Sequence, residues 1–228
     1  MATSGTTAFN LDFTEIAEEA WERAGSEMRS GYDLRTARRS MNLLTIEWQN
    51  RGINLWTIDS GTVSLTTGTS QYTLPADTID LLEQAIRTDS GNTTKQSDIN
   101  ISRISVSTFS SIPNKLTRGR PIQVWIERLT DAPKINVWPV PDSNDYTFVY
   151  WRMRRVEDAG SGIETADMNF RFLPCLVAGL AYNIAMKTPD LAPRLDMLKA
   201  EYEAQFALAS GEDREKSSAR FVPRISRI

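Results

Sequence analysis

The pattern of hydrophobic and polar residues at the start of the chain is that of two helices. Between residues 12 and 24, hydrophobic side chains recur every three or four positions, which gives a helix one apolar face. Asp12 and Glu15 have the spacing of a capping box, so the helix is predicted to begin there. Residues 33–50 repeat the apolar pattern, and Gly52 follows where a left-handed residue ends many helices. The short connection predicts an antiparallel helical hairpin.

After Gly52 the pattern alternates, which is typical of β-strands. The predicted strands are 56–58, 62–65, 71–74, 81–88, 99–104, 122–128, 134–138 and 146–153. Of these, 81–88 and 99–104 are expected to pair. Residues 105–111 predict one turn of helix that Pro113 stops. Short strands at regular spacing predict a small sandwich or barrel-like sheet.

Helical spacing returns in the last quarter of the chain. A third helix is predicted over 169–187, with Pro174 in its first turn. A fourth is predicted over 195–209, and Gly211 is expected to end it. Residues 212–228 are charged and then basic, with no period.

The sequence therefore predicts an α+β fold, with a helical bundle from the N- and C-terminal helices, a central β-sandwich-like domain and an extended C-terminal tail. The predicted boundaries are a flexible N-terminus at 1–11, a helical bundle from 12–52 and 168–210, a β-rich domain at 53–157 and a docking tail at 211–228.

The amino-acid composition excludes several classes of function. The chain has no histidine and one cysteine, Cys175, which excludes Ser-His-Asp and Cys-His catalysis, most zinc sites and an intrachain disulfide. A net charge of −3 gives no general argument for nucleic acid or membrane binding. The polar N-terminus does not resemble a signal peptide and no run reaches the length of a membrane span, so synthesis inside the cell is expected.

Several short motifs, in this order of elements, resemble one protein family. They are Arg38-Arg39, Trp48, Arg51-Gly52, Leu55-Trp56, Tyr72-Thr73-Leu74-Pro75, Gly119-Arg120-Pro121, Trp138-Pro139-Val140-Pro141-Asp142 and the aromatic series Tyr146, Phe148 and Tyr150. The chain, over about residues 10–228, resembles the head-to-tail adaptors of tailed bacteriophages, the tail-accessory or tail-tubular group.

The resemblance implies a structural virion protein of the phage neck, made in the host cytoplasm. Members form a ring, usually of twelve copies, between the portal protein and a downstream tail or nozzle protein. Genomic DNA passes through the ring without sequence readout, no cofactor is used and no membrane is involved. The C-terminal segment tends to become ordered against the portal or a neighbouring subunit.

Three sets of residues are candidates for contacts. The first is the tail, in which arginines and apolar residues are interspersed, and its docking residues are Arg220, Phe221, Val222, Arg224, Ile225 and Arg227. A solvated terminus is the alternative, but apolar residues can fill pockets while arginines pair with carboxylates, which together with the resemblance favours docking.

The other two sets are basic. Arg35, Arg38 and Arg39 lie on the second helix, and the interpretations are a solvated or intersubunit face, which is favoured, or a surface lining the DNA lumen. Lys115, Arg118 and Arg120 lie in a loop before Pro121, where a tail-side contact and an ordinary exposed turn remain open.

The alternative function is a carbohydrate-binding or peptidoglycan-degrading virion protein. It would use a platform of tryptophans or a pair of carboxylates across a sugar. Aromatic residues in strands are more often part of a core, which is the favoured interpretation of Trp48, Trp56, Trp125, Trp138 and Trp151. The acidic residues of the first helix, Glu15, Glu18, Glu19 and Glu22, are interpreted as a solvated face, and Cys175 as a buried, inert thiol.

Overall fold

A computed structural model of the chain describes residues 5, 9, 11–160 and 163–213. The chain divides into two compact units. The helical unit takes the described residues as far as Trp56 and from Val156 onward, and the β unit takes Thr57–Arg155. The α+β class predicted from the sequence is confirmed, with five α-helices and two four-stranded sheets among the described residues.

The first helix, α1 (Phe13–Ala24), begins with the predicted capping box. The Glu15 backbone N–H donates to Asp12 Oδ1 at 2.8 Å, and the Asp12 N–H donates to Glu15 Oε2 at 3.0 Å. The second helix, α2 (Gly31–Asn50), starts two residues earlier than predicted, because Ser30 and Asp33 form a second capping box. Gly52 has the expected left-handed conformation, with φ of 91°.

The core of the helical unit is built around α4 (Leu173–Ala185), which is apolar on nearly all sides. α1, α2 and α5 (Leu195–Glu212) all pack against α4. α1 and α2 contact α4 more extensively than they contact each other, so the predicted hairpin is not the main packing unit. Pro174 lies in the first turn of α4, as predicted.

Other predicted boundaries in this unit are also wrong. The third helix does not begin at 169, because residues Phe170–Phe172 form a 3-10 turn that Asn169 caps. Gly211 does not end the fourth helix, which continues to Glu212. A glycine only stops a helix where it turns left-handed, and Gly211 does not have a positive φ.

The β unit consists of two sheets that share one core. The strands are β1 (Ile58–Ser64), β2 (Gln71–Thr73), β3 (Thr78–Thr88), β4 (Ser97–Asn100), β5 (Ser102–Arg103), β6 (Gln123–Glu127), β7 (Lys134–Trp138) and β8 (Thr147–Arg154). The first sheet has the order β1-β8-β3-β4 and the second β2-β7-β6-β5. Buried residues of both sheets, including Ile86 and Phe148 from the first and Val124 and Ile135 from the second, pack in one cluster, which is the arrangement of a sandwich.

The predicted pairing of residues 81–88 with 99–104 is confirmed, since β3 and β4 are antiparallel partners. However, the second run is not one strand. It breaks at Ile101, after which β5 pairs with β6 in the other sheet. The short helix α3 (Val106–Ser111) follows where one turn of helix was predicted.

The predicted strands at 56–58 and 62–65 are wrong as separate elements. Leu55–Thr57 form a 3-10 turn, and β1 then runs without a break through Gly61. Gly61 is not a turn residue here. It lies opposite Tyr150 on β8, and a Cβ atom at this position would lie 2.5 Å from the Tyr150 ring.

A largely buried side chain, that of Arg152 on β8, links three segments around the first sheet. The Arg152 side chain, 13 % exposed, donates to Asp77 Oδ1 at 2.5 Å and to Thr78 Oγ1 at 2.8 Å, and its guanidinium lies 3.7 Å from Asp59. The hydrogen bond from Arg152 holds the pKa of the Asp77 carboxyl below its usual value. Asp77 is therefore charged in the folded protein at a lower pH than in the unfolded chain.

We expect Asp77→Asn to lower the free energy of unfolding by less than about 1 kcal/mol at pH 7, because the carboxylate is partly exposed. A carboxyl with a lowered folded pKa stabilises above its unfolded pKa, and the effect is lost as the pH falls through the folded pKa. Urea unfolding should therefore show the difference between the two proteins shrinking below about pH 4. Asp131→Asn, an exposed site with the same chemical change, is the control; equal pH profiles for both variants would contradict the prediction.

Candidate interaction surfaces

One side of α2 is exposed along its whole length and carries apolar and basic residues together. Tyr32, Arg35, Arg39, Leu43 and Ile46 follow one another at spacings of three or four, opposite the side that packs on α4. We call these five residues the α2 face. Tyr32 is 63 % exposed, Leu43 65 % and Ile46 53 %. Apolar side chains this exposed on one helix face are characteristic of a contact surface.

The structure brings two of the three predicted arginines onto this face. Arg35 and Arg39 are exposed and, with Tyr32, Arg38 and Asn42, line a shallow cleft of about 490 Å³. Arg38 is different, because it is partly buried and donates to the Gly160 carbonyl. The role of Arg38 is therefore at least partly to hold the chain beside α2.

Lys187 lies at the edge of the α2 face. Its Nζ donates to Ser40 Oγ at 2.6 Å, and it lines a second shallow cleft together with Arg39 and Leu43. Burial lowers the pKa of Lys187, and the nearby charge of Arg39 lowers it further. The two cations are thus close enough to act on the same region of a partner surface.

The predicted basic loop before Pro121 is exposed, but its three cations differ. Lys115 Nζ donates to the carbonyls of Ser110 and Ile112, at 3.1 and 3.0 Å, and so caps the end of α3. Arg118 pairs through its backbone with Val140 and, like Arg120, is exposed. Leu116, 81 % exposed, is the apolar residue in the loop that is available for a contact.

A third surface joins two parts of the sequence that are about 150 residues apart. Glu15, Glu18, Glu19 and Glu22 of α1 form one wall of a cleft of about 880 Å³, and the apolar residues that line it include Phe170, Leu173, Pro174 and Val177. We call it the acidic cleft. The sequence indicated the row of glutamates but assigned it to solvent, since nothing in the pattern places the start of α4 beside α1.

The predicted docking residues of the tail, Arg220, Phe221, Val222, Arg224, Ile225 and Arg227, lie outside the described residues. The described chain ends at Asp213, directly after α5. Arg171 Nη1, next to Phe170 of the acidic cleft, lies 2.9 Å from Glu212 Oε2. The last described residues therefore lie close to Arg171, the neighbour of Phe170 in the sequence.

The tryptophans do not all share one surface. Trp125 and Trp138 are half-buried on the outward side of neighbouring strands, so neither lies in the core as predicted. Trp48 is buried, as predicted, and donates through Nε1 to the Tyr202 hydroxyl at 3.0 Å. Trp125 and Trp138 belong to the second sheet of the β unit and Trp151 to the first. Trp151 is 41 % exposed, so its prediction as a core residue is wrong. Trp151 lies on the outward side of β8, because successive side chains of a strand alternate and its neighbour Tyr150 points inward.

Cys175 lies in the core of the helical unit, where burial raises the pKa of its thiol to about 12. At neutral pH it is protonated, and a protonated thiol is a poor nucleophile. Within residues 11–160 and 163–213, no group of three or more acidic, cysteine or histidine side chains has a geometry suited to a metal ion. None of the helices in this part of the chain has the length and apolar character needed to cross a membrane.

A comparison with known protein families identifies the family of this chain. The family model described as SU10 adaptor protein matches residues 11–226, which is nearly the whole sequence. The chain belongs to the SU10 adaptor protein family. This confirms the resemblance to the head-to-tail adaptors of tailed phages. No curated protein matches the sequence significantly.

Membership of the SU10 adaptor family makes this a phage structural protein that assembles with other virion proteins. It also indicates a structural rather than a catalytic role. The surfaces described above are therefore considered as contacts between proteins: the α2 face, the basic loop, the acidic cleft and the C-terminal tail.

Proposed function

We propose that this SU10-family adaptor assembles into a ring at the neck of the virion, joining the portal protein to the tail and enclosing part of the DNA path. The family match over residues 11–226 is the observation that carries the proposal, because it covers both units and most of the tail. In this proposal the ring, expected to have twelve copies, binds the portal on one side and a downstream tail or nozzle protein on the other.

The α2 face supports a contact between neighbouring copies. A closed ring needs a heterologous interface, in which one surface of each copy binds a different surface of the next. Interfaces of this kind combine an apolar centre with arginines, and the α2 face has that composition. Arg35 and Arg39 are proposed as intersubunit residues, because an overall acidic chain with three arginines on one helix is a poor nucleic-acid site.

The exposed loop with Lys115, Arg118 and Arg120 is proposed as a contact with the next component on the tail side. Leu116 supplies the apolar centre and Arg118 and Arg120 the charges. Passing DNA is proposed to make only weak contacts, since a genome must slide through the ring. The negative net charge of the chain supports that arrangement.

The mass of the assembly tests the proposal. The purified chain alone and the chain mixed with the portal protein of the same phage would be compared by native mass spectrometry. We expect a ring of many copies on the portal. A chain that remains monomeric in the presence of its portal would exclude the connector function. Sustained release of sugar from peptidoglycan by the same preparation would instead favour the wall-degrading alternative.

We expect the double substitution Arg35→Glu with Arg39→Glu to raise the protein concentration needed for ring assembly roughly tenfold, since each reversed rim charge costs up to about 1 kcal/mol. The measurement is the same titration against portal. The matched control is Lys95→Glu with Lys199→Glu, which changes the net charge equally at exposed sites that are not part of the α2 face. Equal loss of assembly in both double variants would show that net charge, and not the α2 face, is responsible.

A further inference from the structure

The acidic cleft has the chemistry of a binding site for a basic, apolar segment. Phe170 is 65 % exposed and Pro174 is exposed, so the floor of the cleft presents apolar surface to its opening. Glu18 and Glu22 are exposed on its wall and form no ion pair with any residue in the described part of the chain. An occupant that places apolar side chains on the floor and cations along α1 would cover the apolar surface and pair with the glutamates.

The chain contains a segment of matching chemistry. Residues 217–228 carry three arginines and no acidic residue, together with Phe221, Val222, Ile225 and Ile228. We call this segment the basic arm. Phe9 of the N-terminal segment itself lines the cleft. The first ten residues contain no charged side chain, however, so they cannot pair with the glutamates. Charge complementarity therefore favours the basic arm over the N-terminal segment.

The point at which the arm leaves the fold supports the same assignment. α5 ends at Glu212, and Glu212 is held 2.9 Å from Arg171, which adjoins Phe170 at the cleft. Arg220 lies eight positions after Glu212, and an extended chain spans up to about 3.3 Å per residue, so about 26 Å is available. The wall from Glu15 to Glu22 is only about 10 Å long at 1.5 Å per helical residue. The connecting length is therefore more than twice the length of the glutamate wall, which is compatible with the arm lying along α1 of its own chain.

We propose that the basic arm occupies the acidic cleft of its own chain before assembly, with its apolar side chains on the floor and its arginines along Glu15, Glu18 and Glu22. The inference rests on the proposed function in one respect, because it takes the arm to be the segment that later docks on the portal or on a neighbouring subunit. The cleft then holds the arm against the body of the free subunit until a partner competes for it.

A photo-crosslink in the full-length chain tests this directly. Phe221 is replaced by p-benzoylphenylalanine, which keeps an aromatic side chain at that position, and the purified chain is irradiated without portal. We expect a crosslink within one chain, mapped by peptide mass spectrometry to residues 15–22 or 170–177. The double substitution Glu18→Lys with Glu22→Lys should reduce its yield roughly fivefold or more, because two attractive contacts become repulsive.

A variant in which the charges of the arm and the cleft are exchanged distinguishes loss of arm binding from loss of folding. Adding Arg220→Glu and Arg224→Glu to the Glu18→Lys, Glu22→Lys chain should restore the crosslink, which a misfolded protein would not do. Glu83→Lys with Asp131→Lys, at exposed sites of the β unit, is the control with the same change in net charge and should leave the yield unchanged.

Three outcomes would overturn the proposal. A crosslink found only between two chains would mean that the cleft receives the arm of a second copy. A crosslink to the α2 face or to the β unit would place the arm elsewhere. A crosslink in the cleft whose yield stays the same in the charge-reversal variants would contradict the role proposed for the glutamates. All are measured on the free chain, so failure to form a ring on the portal would not produce them.

Discussion

Replacing Gly179 with valine is expected to destabilise the helical unit by about 3 kcal/mol, near the upper end for overpacking of a core. Gly179 lies in the middle of α4, next to Leu44 of α2 and Tyr202 of α5. A Cβ atom there would lie 2.8 Å from Tyr202 Cε2 and 2.9 Å from Leu44 Cδ2. Both distances are shorter than carbon atoms tolerate, and valine adds two further methyl groups.

The surroundings of Gly179 cannot move aside easily. Tyr202 is 3 % exposed, its hydroxyl accepts a hydrogen bond from Trp48 at 3.0 Å, and its ring stacks on Tyr182 with centroids 6.3 Å apart. Moving the Tyr202 ring would break these contacts. Leu44 is equally buried, at 1 %.

Gly211→Val is the matched control, because Gly211 also lies in a helix but a Cβ atom there meets nothing within 4 Å. Valine and glycine differ little in helix propensity, so its effect should stay within about 0.5 kcal/mol. Urea unfolding followed by far-UV circular dichroism measures both. If the two variants lost stability equally, the close packing of α4 against Tyr202 would be ruled out as the cause.

The helices were predictable from sequence where local signals decide them. The capping box of Asp12 and Glu15, the first-turn position of Pro174 and the left-handed Gly52 all depend on neighbours within a few residues. The end of α5 was not predictable in this way. A glycine in a helical pattern either stops the helix or continues it, and the choice at Gly211 is not encoded in its immediate neighbours.

In the β unit, alternation predicted where strands lie but not which sheet they join. The run 99–104 reads as one strand, yet β4 and β5 belong to different sheets. The sequence predicts separate strands at 56–58 and 62–65, because a glycine usually weakens a strand and Gly61 lies between them. In the fold, position 61 requires a glycine because the Tyr150 ring of β8 lies against it. Tyr150 is nearly 90 residues later in the chain, so no local pattern indicates this contact.

The interaction surfaces, too, were only partly predictable, because they depend on contacts between residues that are distant in the sequence. The sequence predicts Arg35, Arg38 and Arg39 as one set on the second helix, but only Arg35 and Arg39 lie on the α2 face. Leu43 and Ile46 complete that face, but an exposed leucine cannot be told from a buried one until the packing of α4 is known. The acidic cleft requires residues 15–22 and 170–177 to meet, and only the fold brings them together.

Deletion of residues 217–228 is expected to abolish attachment to the portal while the rest of the chain stays folded. The deleted segment lies after the end of α5, so no helix or strand within residues 11–160 and 163–213 loses a residue. It contains three arginines and four large apolar residues, which is the kind of segment that becomes ordered when it binds. Co-sedimentation with portal measures attachment, and the free energy of unfolding should change by no more than about 1 kcal/mol, the scale of a weakly docked segment.

A second variant shows which part of the arm acts. Phe221→Ser with Ile225→Ser keeps all three arginines and removes two apolar anchors. If apolar side chains fill pockets on the partner, this full-length variant should lose most of the attachment, since each buried anchor contributes about 1.5–3 kcal/mol. If charge alone held the arm, the variant would attach like the unmodified chain and lose attachment only at high salt. Normal attachment of the chain that lacks residues 217–228 would show that the contacts to portal are made by the folded units instead.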